Sequence, residues 1–186
     1  LLAAFEQDYS VMLALSNETL HDAKCHIRWS VRNNVFETIV QGEQDVICPA
    51  LSSVKLPALD LTESVKAAKY NRFFVYELYD ENGKLLTKRS SLFVKPKHFE
   101  WIQPTITADL RQENDEMTIT LSTDTFAKGV FVRFQNTDVV LSDNFVDLVD
   151  DQPVVLKVEK WLGGNAASLE DMKQGIEICC IADIGE

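Results

Sequence analysis

The densest group of potential ligand and acid–base side chains lies between Asp143 and Asp151, where four aspartates and one asparagine fall within nine residues. Oxygen atoms this close together could hold calcium. The group lacks the one-three-five spacing of an EF-hand loop, however, and Asx turns are far more common than ion sites in such loops. We therefore predict that Asp143 and Asn144 bond to local backbone and shape a corner, while Phe145 and Leu148 fill the core. No metal or other cofactor is expected.

Hydrolysis of a glycosidic bond would need two carboxyl groups about 5–10 Å apart. Acidic residues are numerous, 29 in all, but most fall in predicted turns or at outward strand positions. Carboxylates in water keep an ordinary acidity, whereas catalysis needs a pocket that shifts the pKa. The sequence also has no phosphate-binding glycine loop and no Gly-x-Ser-x-Gly nucleophile turn. It therefore predicts no catalytic residue in this chain.

Three tryptophans are candidates for stacking against a ligand. Trp29 lies at an inward position and is typical of the core tryptophan of a central sandwich strand. Trp101 follows a predicted linker, and we expect it to pack between domains. Trp161 precedes a flexible glycine-containing loop, Leu162–Asn165, and is the best candidate for exposure. We interpret Trp161 as a contact either to a ligand or to a neighbouring domain.

The four cysteines predict a structural role rather than a metal site. Cys179 and Cys180 are adjacent, so in a strand they point to opposite faces and are poor partners for each other. A disulfide between Cys25 and Cys48 stays open, although their spacing does not require one. We favour free, mostly buried thiols, because cysteine is often a small core residue. No Cys-x-x-Cys occurs, and the three histidines form no pair at metal-ligand spacing.

The net charge of −11 over 186 residues limits the classes of partner. Nucleic-acid binding depends on Lys and Arg neutralising phosphates, and attraction to anionic membranes depends on basic clusters, so we expect neither partner. No apolar run reaches the roughly 20 residues of a membrane span. The chain begins at Leu1 without a basic region or an initiator methionine. We expect a segment of a longer protein, whose compartment stays open because any export signal would lie upstream.

Alternation of apolar and polar residues with a period of two dominates the sequence and predicts an all-β fold. The inward sets include Val11 to Leu15 and Cys25 to Val31 in the first half, and Met117 to Leu121 and Val130 to Phe134 in the second. Asn71 to Asp80 is apolar on both faces, so its outer face should meet another surface. Helical turns are predicted only around Leu61–Lys66 and Ser168–Gly175.

The charged, proline-containing segment Lys95–His98 interrupts this pattern, because proline cannot donate to a strand ladder. We place a domain boundary there. The prediction is two tandem β-sandwich domains, residues 1–96 and 97–186, each near the size of one such domain.

Several motifs of the second half resemble a known family. They are Leu92–Phe99, Thr125–Val130, Ser142–Leu148 and Ala167–Met172. Together they resemble the C-terminal immunoglobulin-like domains of β-mannosidases of glycoside hydrolase family 2. The most specific element is the motif formed by Ser142, Asp143, Asn144, Phe145 and Asp147. The first half, with Pro49–Ser53 before an alternating strand, resembles the sandwich preceding the terminal domain in that family.

The resemblance implies two tandem immunoglobulin-like domains that brace a catalytic barrel. In this family the catalytic glutamates belong to an upstream (β/α)₈ barrel, which needs about 250 residues, and this chain has no βα alternation. The implied parent is a retaining exo-glycosidase that releases terminal β-mannosyl residues from oligosaccharides. Two alternatives stay open, namely a stand-alone glycan- or protein-binding module and a related activity such as exo-glucosaminidase.

Overall fold

A computed structural model describes residues 1–114, 116–135, 137–162 and 167–185. It divides the chain into two compact units, Leu1–Glu100 and Trp101–Glu186. Both units are built almost wholly from antiparallel strands, which confirms the predicted all-β fold of two tandem sandwiches.

The first unit contains eight strands, one short α-helix and two 3₁₀ helices, Lys66–Ala68 and Pro96–His98. The strands and the α-helix are β1 (Leu2–Gln7), β2 (Ser10–Asn17), β3 (Ala23–Asn33), β4 (Thr38–Cys48), β5 (Ser52–Lys55), β6 (Leu59–Asp60), α1 (Thr62–Val65), β7 (Arg72–Asp80) and β8 (Leu85–Leu92). One sheet has the order β1-β2-β5, with β6 also pairing with β2, and the other has the order β4-β3-β7-β8.

The core of the first unit comes from residues that alternate along these strands. The inward sets predicted on β2 and β3 are confirmed by exposures of 9% or less for the following residues: Val11, Leu13, Leu15, Cys25, Ile27 and Val31. Trp29, the remaining member, is half-buried and stacks on Phe74 with ring centroids 6.0 Å apart. The ring lies so close to Gly42 on β4 that an added Cβ would meet it at 2.5 Å.

Strand β7 is buried on both faces, as predicted from its apolar sequence. Phe74 and Leu78 belong to the core of the unit. Phe73 and Val75 point to the opposite face and are also almost completely buried. The following hairpin turn is closed by Asp80, whose carboxylate accepts from the backbone of Asn82 and Lys84, each at 2.9 Å.

The described residues of the second unit form seven strands, one α-helix and a closing 3₁₀ helix, Ile181–Gly185. The strands and the α-helix are β9 (Ile106–Glu113), β10 (Glu116–Thr123), β11 (Ala127–Phe134), β12 (Asp138–Leu141), β13 (Val146–Leu148), β14 (Val154–Leu162), α2 (Leu169–Gly175) and β15 (Ile176–Cys179). One sheet has the order β12-β14-β10-β9 and the other the order β13-β11-β15. The predicted inward sets on β10 and β11 are buried, with Ile119 and Val130 completely excluded from solvent.

Both predicted helical turns are confirmed as α1 and α2. Ser168 caps α2, because its hydroxyl oxygen accepts from the backbone N–H of Asp171 at 3.1 Å. Asp171 also lies in the first turn, where a negative charge favours the helix N-terminus. The helix runs to Gly175, and strand β15 begins immediately after it.

Candidate functional site

The Ser142–Asp147 motif forms the corner between β12 and β13, and the side chain of Asn144 bonds this corner to β11. The Asn144 side chain accepts from the backbone N–H of Val132 at 3.0 Å and donates to the Val132 carbonyl at 2.9 Å. Val130 on β11 pairs with Val146 on β13, so Val132 occupies the next pairing position along the strand. The amide side chain of Asn144 thus takes the place of a backbone partner there.

Asp147 stabilises an irregularity in β11 on the other side of the corner. The pairing of β11 with β13 shifts register between Ala127 and Val130. One carboxylate oxygen of Asp147 accepts from the Gly129 backbone N–H and the other contacts the Lys128 ammonium group, both at 2.9 Å. Gly129 has a φ of +62°, a region that favours glycine. Asp147 therefore satisfies the N–H group that the bulge leaves without a ladder partner.

Ser142 and Asp143 connect the corner to its surroundings. Ser142 donates its backbone N–H to the Lys157 carbonyl at 2.8 Å, and its hydroxyl accepts from the Lys157 N–H at 2.9 Å. Asp143 accepts from the backbone N–H of Asn144 at 2.8 Å. The Ser142 bonds join the corner to β14, whereas the Asp143 bond lies within the corner itself.

Phe145 does not fill the core, and that prediction was wrong. The residue is 67% exposed and has a φ of +58°. Its ring stacks on Phe131 of β11 with centroids 4.8 Å apart and an interplanar angle of 22°. Leu148, predicted alongside it, is buried. The left-handed conformation of Phe145 breaks the strand alternation, so its side chain leaves the core face while Val146 enters it.

The two tryptophans of the predicted contact set lie in different settings within the second unit. Trp161 is half-buried on β14 opposite Val139 and packs against the core. Of the predicted loop Leu162–Asn165, Leu162 ends β14 and the other three residues lie outside the described residues. Trp101 stacks on Phe126, with ring centroids 5.6 Å apart. A ligand or inter-domain contact by either tryptophan stays a prediction.

The outer face of the sheet β13-β11-β15 carries side chains that the sequence did not single out. Glu177 of β15 accepts from Arg133 of β11 at 2.5 Å and from Gln135 at 2.7 Å. A shallow cavity of about 460 Å³ lies beside this pair. It is lined by Phe131, Arg133, Glu177, Ile178 and Cys179. The alternation along β11 could have indicated this surface from the sequence, because residues two apart on a strand, here Phe131 and Arg133, point to the same face.

A second polar surface lies on the outer face of the first unit, on β3, β4 and β7. His26 contacts Asp45 at 2.8 Å and Glu43 at 3.3 Å, and Arg28 contacts Glu43 at 3.2 Å. The Arg28 guanidinium also lies over the Tyr79 ring, 5.1 Å from its centroid. The hydrogen bond to Asp45 is the main cause that raises the pKa of His26 above its usual 6.5. Cross-strand register brings these residues together, which sequence spacing alone does not reveal.

Hydrogen bonds lower the pKa of several carboxyl groups. The Thr62 hydroxyl and N–H lower the pKa of Asp60, and the Thr105 backbone lowers that of Asp124. Bonds from Gln135 and then Arg133 lower the pKa of Glu177. Such groups remain ionised at neutral pH, whereas a glycosidase general acid needs a raised pKa.

The cysteines are free thiols, as favoured by the sequence: Cys25, Cys48 and Cys180 are buried and Cys179 is exposed. Burial is the main cause that raises the pKa of both Cys25 and Cys180. Within the described residues, no three His, Cys, Asp or Glu side chains are grouped so as to hold a metal ion. Nor does the described part of the chain contain a helix long and apolar enough to cross a membrane.

Two family models match the chain in tandem. Residues 10–98 match a mannosidase Ig/CBM-like domain, and residues 101–184 match the Ig-fold domain of mannosidases. No curated protein matches the sequence significantly.

Solved structures share this fold at low sequence identity. The chain is similar to a β-D-mannosidase from Dictyoglomus thermophilum, with a TM-score of 0.77 and 20% identity over 96% of this chain and 21% of that one. It is also similar to an exo-chitosanase from Amycolatopsis orientalis, with a TM-score of 0.62 and 12% identity over 97% of this chain and 25% of that one. The chain thus spans between a fifth and a quarter of the length of these proteins.

Proposed function

The chain belongs, over residues 10–98 and 101–184, to the two families of mannosidase immunoglobulin-like domains, and we propose that it is a non-catalytic accessory part of a β-mannosidase-like exo-glycosidase. The observation that carries this proposal is the tandem order of the two domains, which together leave few residues outside either family. The similar β-D-mannosidase holds the same pair within a chain almost five times longer, since the match covers 21% of it.

In this proposal the two sandwiches brace a catalytic barrel in the same polypeptide. The parent hydrolyses terminal β-mannosyl residues of oligosaccharides through a covalent glycosyl-enzyme, with two carboxylates that belong to the barrel. Trp101 and Trp161 remain proposed contacts to a neighbouring domain or a ligand.

The test compares the isolated chain with its parent. We expect no release of nitrophenol from a 4-nitrophenyl β-D-mannoside by the 186-residue chain, and ready release by a protein that carries the barrel as well. Measurable turnover by the purified chain, at a rate proportional to its concentration, would overturn the proposal.

A second activity for the parent is favoured by the similarity to the exo-chitosanase, which is also described as an exo-β-D-glucosaminidase. The two parents differ in the sugar they release, so assaying the parent with paired β-mannoside and β-glucosaminide substrates separates them. Faster hydrolysis of the glucosaminide would assign these domains to the second activity without changing their accessory role.

A further inference from the structure

The exposed aromatic pair Phe131–Phe145 is a rigid flat surface on the second unit. Phe131 is half-buried and supports Phe145 from beneath, so Phe145 keeps most of its surface in water, 67% exposed. An exposed aromatic side chain ordinarily samples several rotamers, and binding must then restrict them at a cost in entropy. Stacking on Phe131 restricts the ring in advance.

The backbone beneath Phe145 is restricted as well. The side-chain oxygen of Asn144 accepts from the Phe145 N–H at 3.1 Å, and the same side chain is bonded to Val132 of β11 on both its donor and its acceptor side. A φ of +58° is costly for a bulky residue and persists only where the surroundings impose it. The corner thus holds Phe145 outward against its own conformational preference.

Planar polar side chains lie beside the aromatic pair. Phe131, Arg133 and Gln135 follow one another at every second position, so they share the outer face of the sheet. Glu177 joins the two polar side chains from the neighbouring strand at 2.5 and 2.7 Å. Arg133 and Glu177 remain 66% and 34% exposed, so each retains atoms open to further hydrogen bonds.

The spacing of these groups suits one sugar ring. Positions two apart on a strand lie about 7 Å from each other, so a ring stacked near the phenylalanines places its hydroxyls beside Arg133 and Glu177. The adjoining cavity of about 460 Å³ falls within the range of roughly 300–1,000 Å³ that is usual for small-molecule sites. The cavity is lined by aromatic and ionic side chains, and it is shallow and open to water.

We propose that the outer face of the sheet β13-β11-β15 binds a neutral pyranose, with Phe145 stacking on the apolar C–H face of the ring and Arg133, Gln135 and Glu177 bonding to its hydroxyls. The negative face of an aromatic ring attracts weakly positive C–H groups. Because Arg133 and Glu177 neutralise each other, the site favours a polar ligand without charge over an anion or a cation. The choice of sugar rests on the proposed function, whose parent acts on oligosaccharides.

The test follows backbone amide signals of the 186-residue chain by NMR during titration with β-1,4-mannotriose. We expect saturable shifts confined to β11, β15 and the 142–145 corner. Phe145→Ala should weaken binding about tenfold, the loss expected when one favourable aromatic stack is removed. Phe145→Trp should retain binding, since it keeps a flat aromatic face.

Phe145→Leu is the variant that distinguishes stacking from general apolar contact. Leucine keeps apolar bulk but has no flat face, so this variant should bind as weakly as Phe145→Ala. Phe5, another exposed phenylalanine at 53%, lies in the first unit and provides the matched control, because Phe5→Ala should leave the affinity unchanged. If the 145 variants fail to fold, Arg133→Gln tests the site instead and should weaken binding several-fold.

A second measurement uses Cys179, the exposed thiol that lines the cavity. Bound mannotriose should slow the labelling of Cys179 by a thiol reagent, and Phe145→Ala should raise the sugar concentration needed for half-maximal protection about tenfold.

Three results would overturn the proposal. They are shifts that do not saturate or that centre on another surface such as Trp161, an affinity that Phe145→Leu leaves unchanged, and concentration-dependent dimerisation that Phe145→Ala abolishes while sugar produces no shift. Each concerns this site alone, because the accessory role is tested by hydrolysis and does not require the isolated chain to bind sugar.

Discussion

At the scale of single residues, the β12–β13 corner depends on side chains that replace missing backbone partners. Asn144 pairs with Val132 as a strand residue would, and Asp147 accepts from the Gly129 N–H where β11 bulges. Buried or half-buried backbone groups must find a partner, and losing one costs more than forming it gains. Asn144 and Asp147 therefore define this motif for a physical reason: their side chains bond to backbone groups of β11 that lack a strand partner.

We expect Asn144→Ala to lower the free energy of unfolding of the second unit by about 1–3 kcal/mol, because Val132 loses a donor and an acceptor together. Urea unfolding followed by tryptophan fluorescence measures this change. Asn144→Asp is the graded comparison, since it keeps the acceptor for the Val132 N–H but sets a carboxylate against the Val132 carbonyl. Full stability in both variants would contradict the backbone-replacement role of Asn144.

His26 gives the first unit a pH dependence whose direction follows from its raised pKa. A group whose pKa is higher in the folded state stabilises that state below its unfolded pKa, and this contribution is lost as pH rises through the folded value. We expect the NMR titration midpoint of His26 to lie above 6.5 and Asp45→Asn to move it back toward that value. Asp45→Asn should also reduce the loss of stability from about pH 6.5 upward. An unmoved midpoint would show that Asp45 does not stabilise the protonated form of His26.

At the scale of elements, the close approach of β3 and β4 depends on Gly42. Trp29 lies over the Gly42 backbone, where a Cβ would meet ring atoms at 2.5 and 2.7 Å. Trp29 is itself stacked on Phe74. The glycine is therefore needed for space, because Gly42 has no positive φ that would require it.

We expect Gly42→Ala to destabilise the first unit by about 1–3 kcal/mol, the usual cost of overpacking. The cost should shrink when Trp29→Leu is made first, because the ring that the methyl group meets is then absent. Chemical unfolding of the four proteins of this double-mutant cycle measures the coupling. Equal costs in both backgrounds would show that the ring does not limit position 42.

The sequence predicted the elements well where one face of a strand meets the core. The alternation on β2, β3, β10 and β11 identified buried residues correctly, and the Ser168 cap identified α2. It failed at Phe145, because a left-handed residue reverses the face of the chain and hydrophobicity carries no information about φ. It also gave no indication of the Arg133–Glu177 and His26–Asp45 contacts, which depend on the pairing register between strands.

At the scale of the whole molecule, the two units have separate hydrophobic cores. The first is formed around Leu13, Ile27 and Phe74, and the second around Ile119 and Leu156. Each core is closed by two sheets of its own unit. A domain with its own core can fold alone.

We therefore expect residues 101–186, expressed alone, to fold cooperatively. Circular dichroism should show β structure with a sharp thermal transition, and Trp101 and Trp161 should give the near-ultraviolet signal of tryptophans held in fixed surroundings. Val132→Asp, which places a charge in this core, is the control that should abolish the transition. A fragment with a broad, non-cooperative transition would contradict the independence of the second core.

The conformation of Phe145 separates the structure of the corner from the identity of the side chain that is exposed at position 145. Its neighbours Asn144 and Val146 hold the corner, through backbone pairing and core packing, and leave the side chain at position 145 out of the interior. Evolution can therefore change the residue at 145 without rebuilding the sandwich, provided that the replacement tolerates a left-handed φ, as Asn and Gly do and β-branched residues do not.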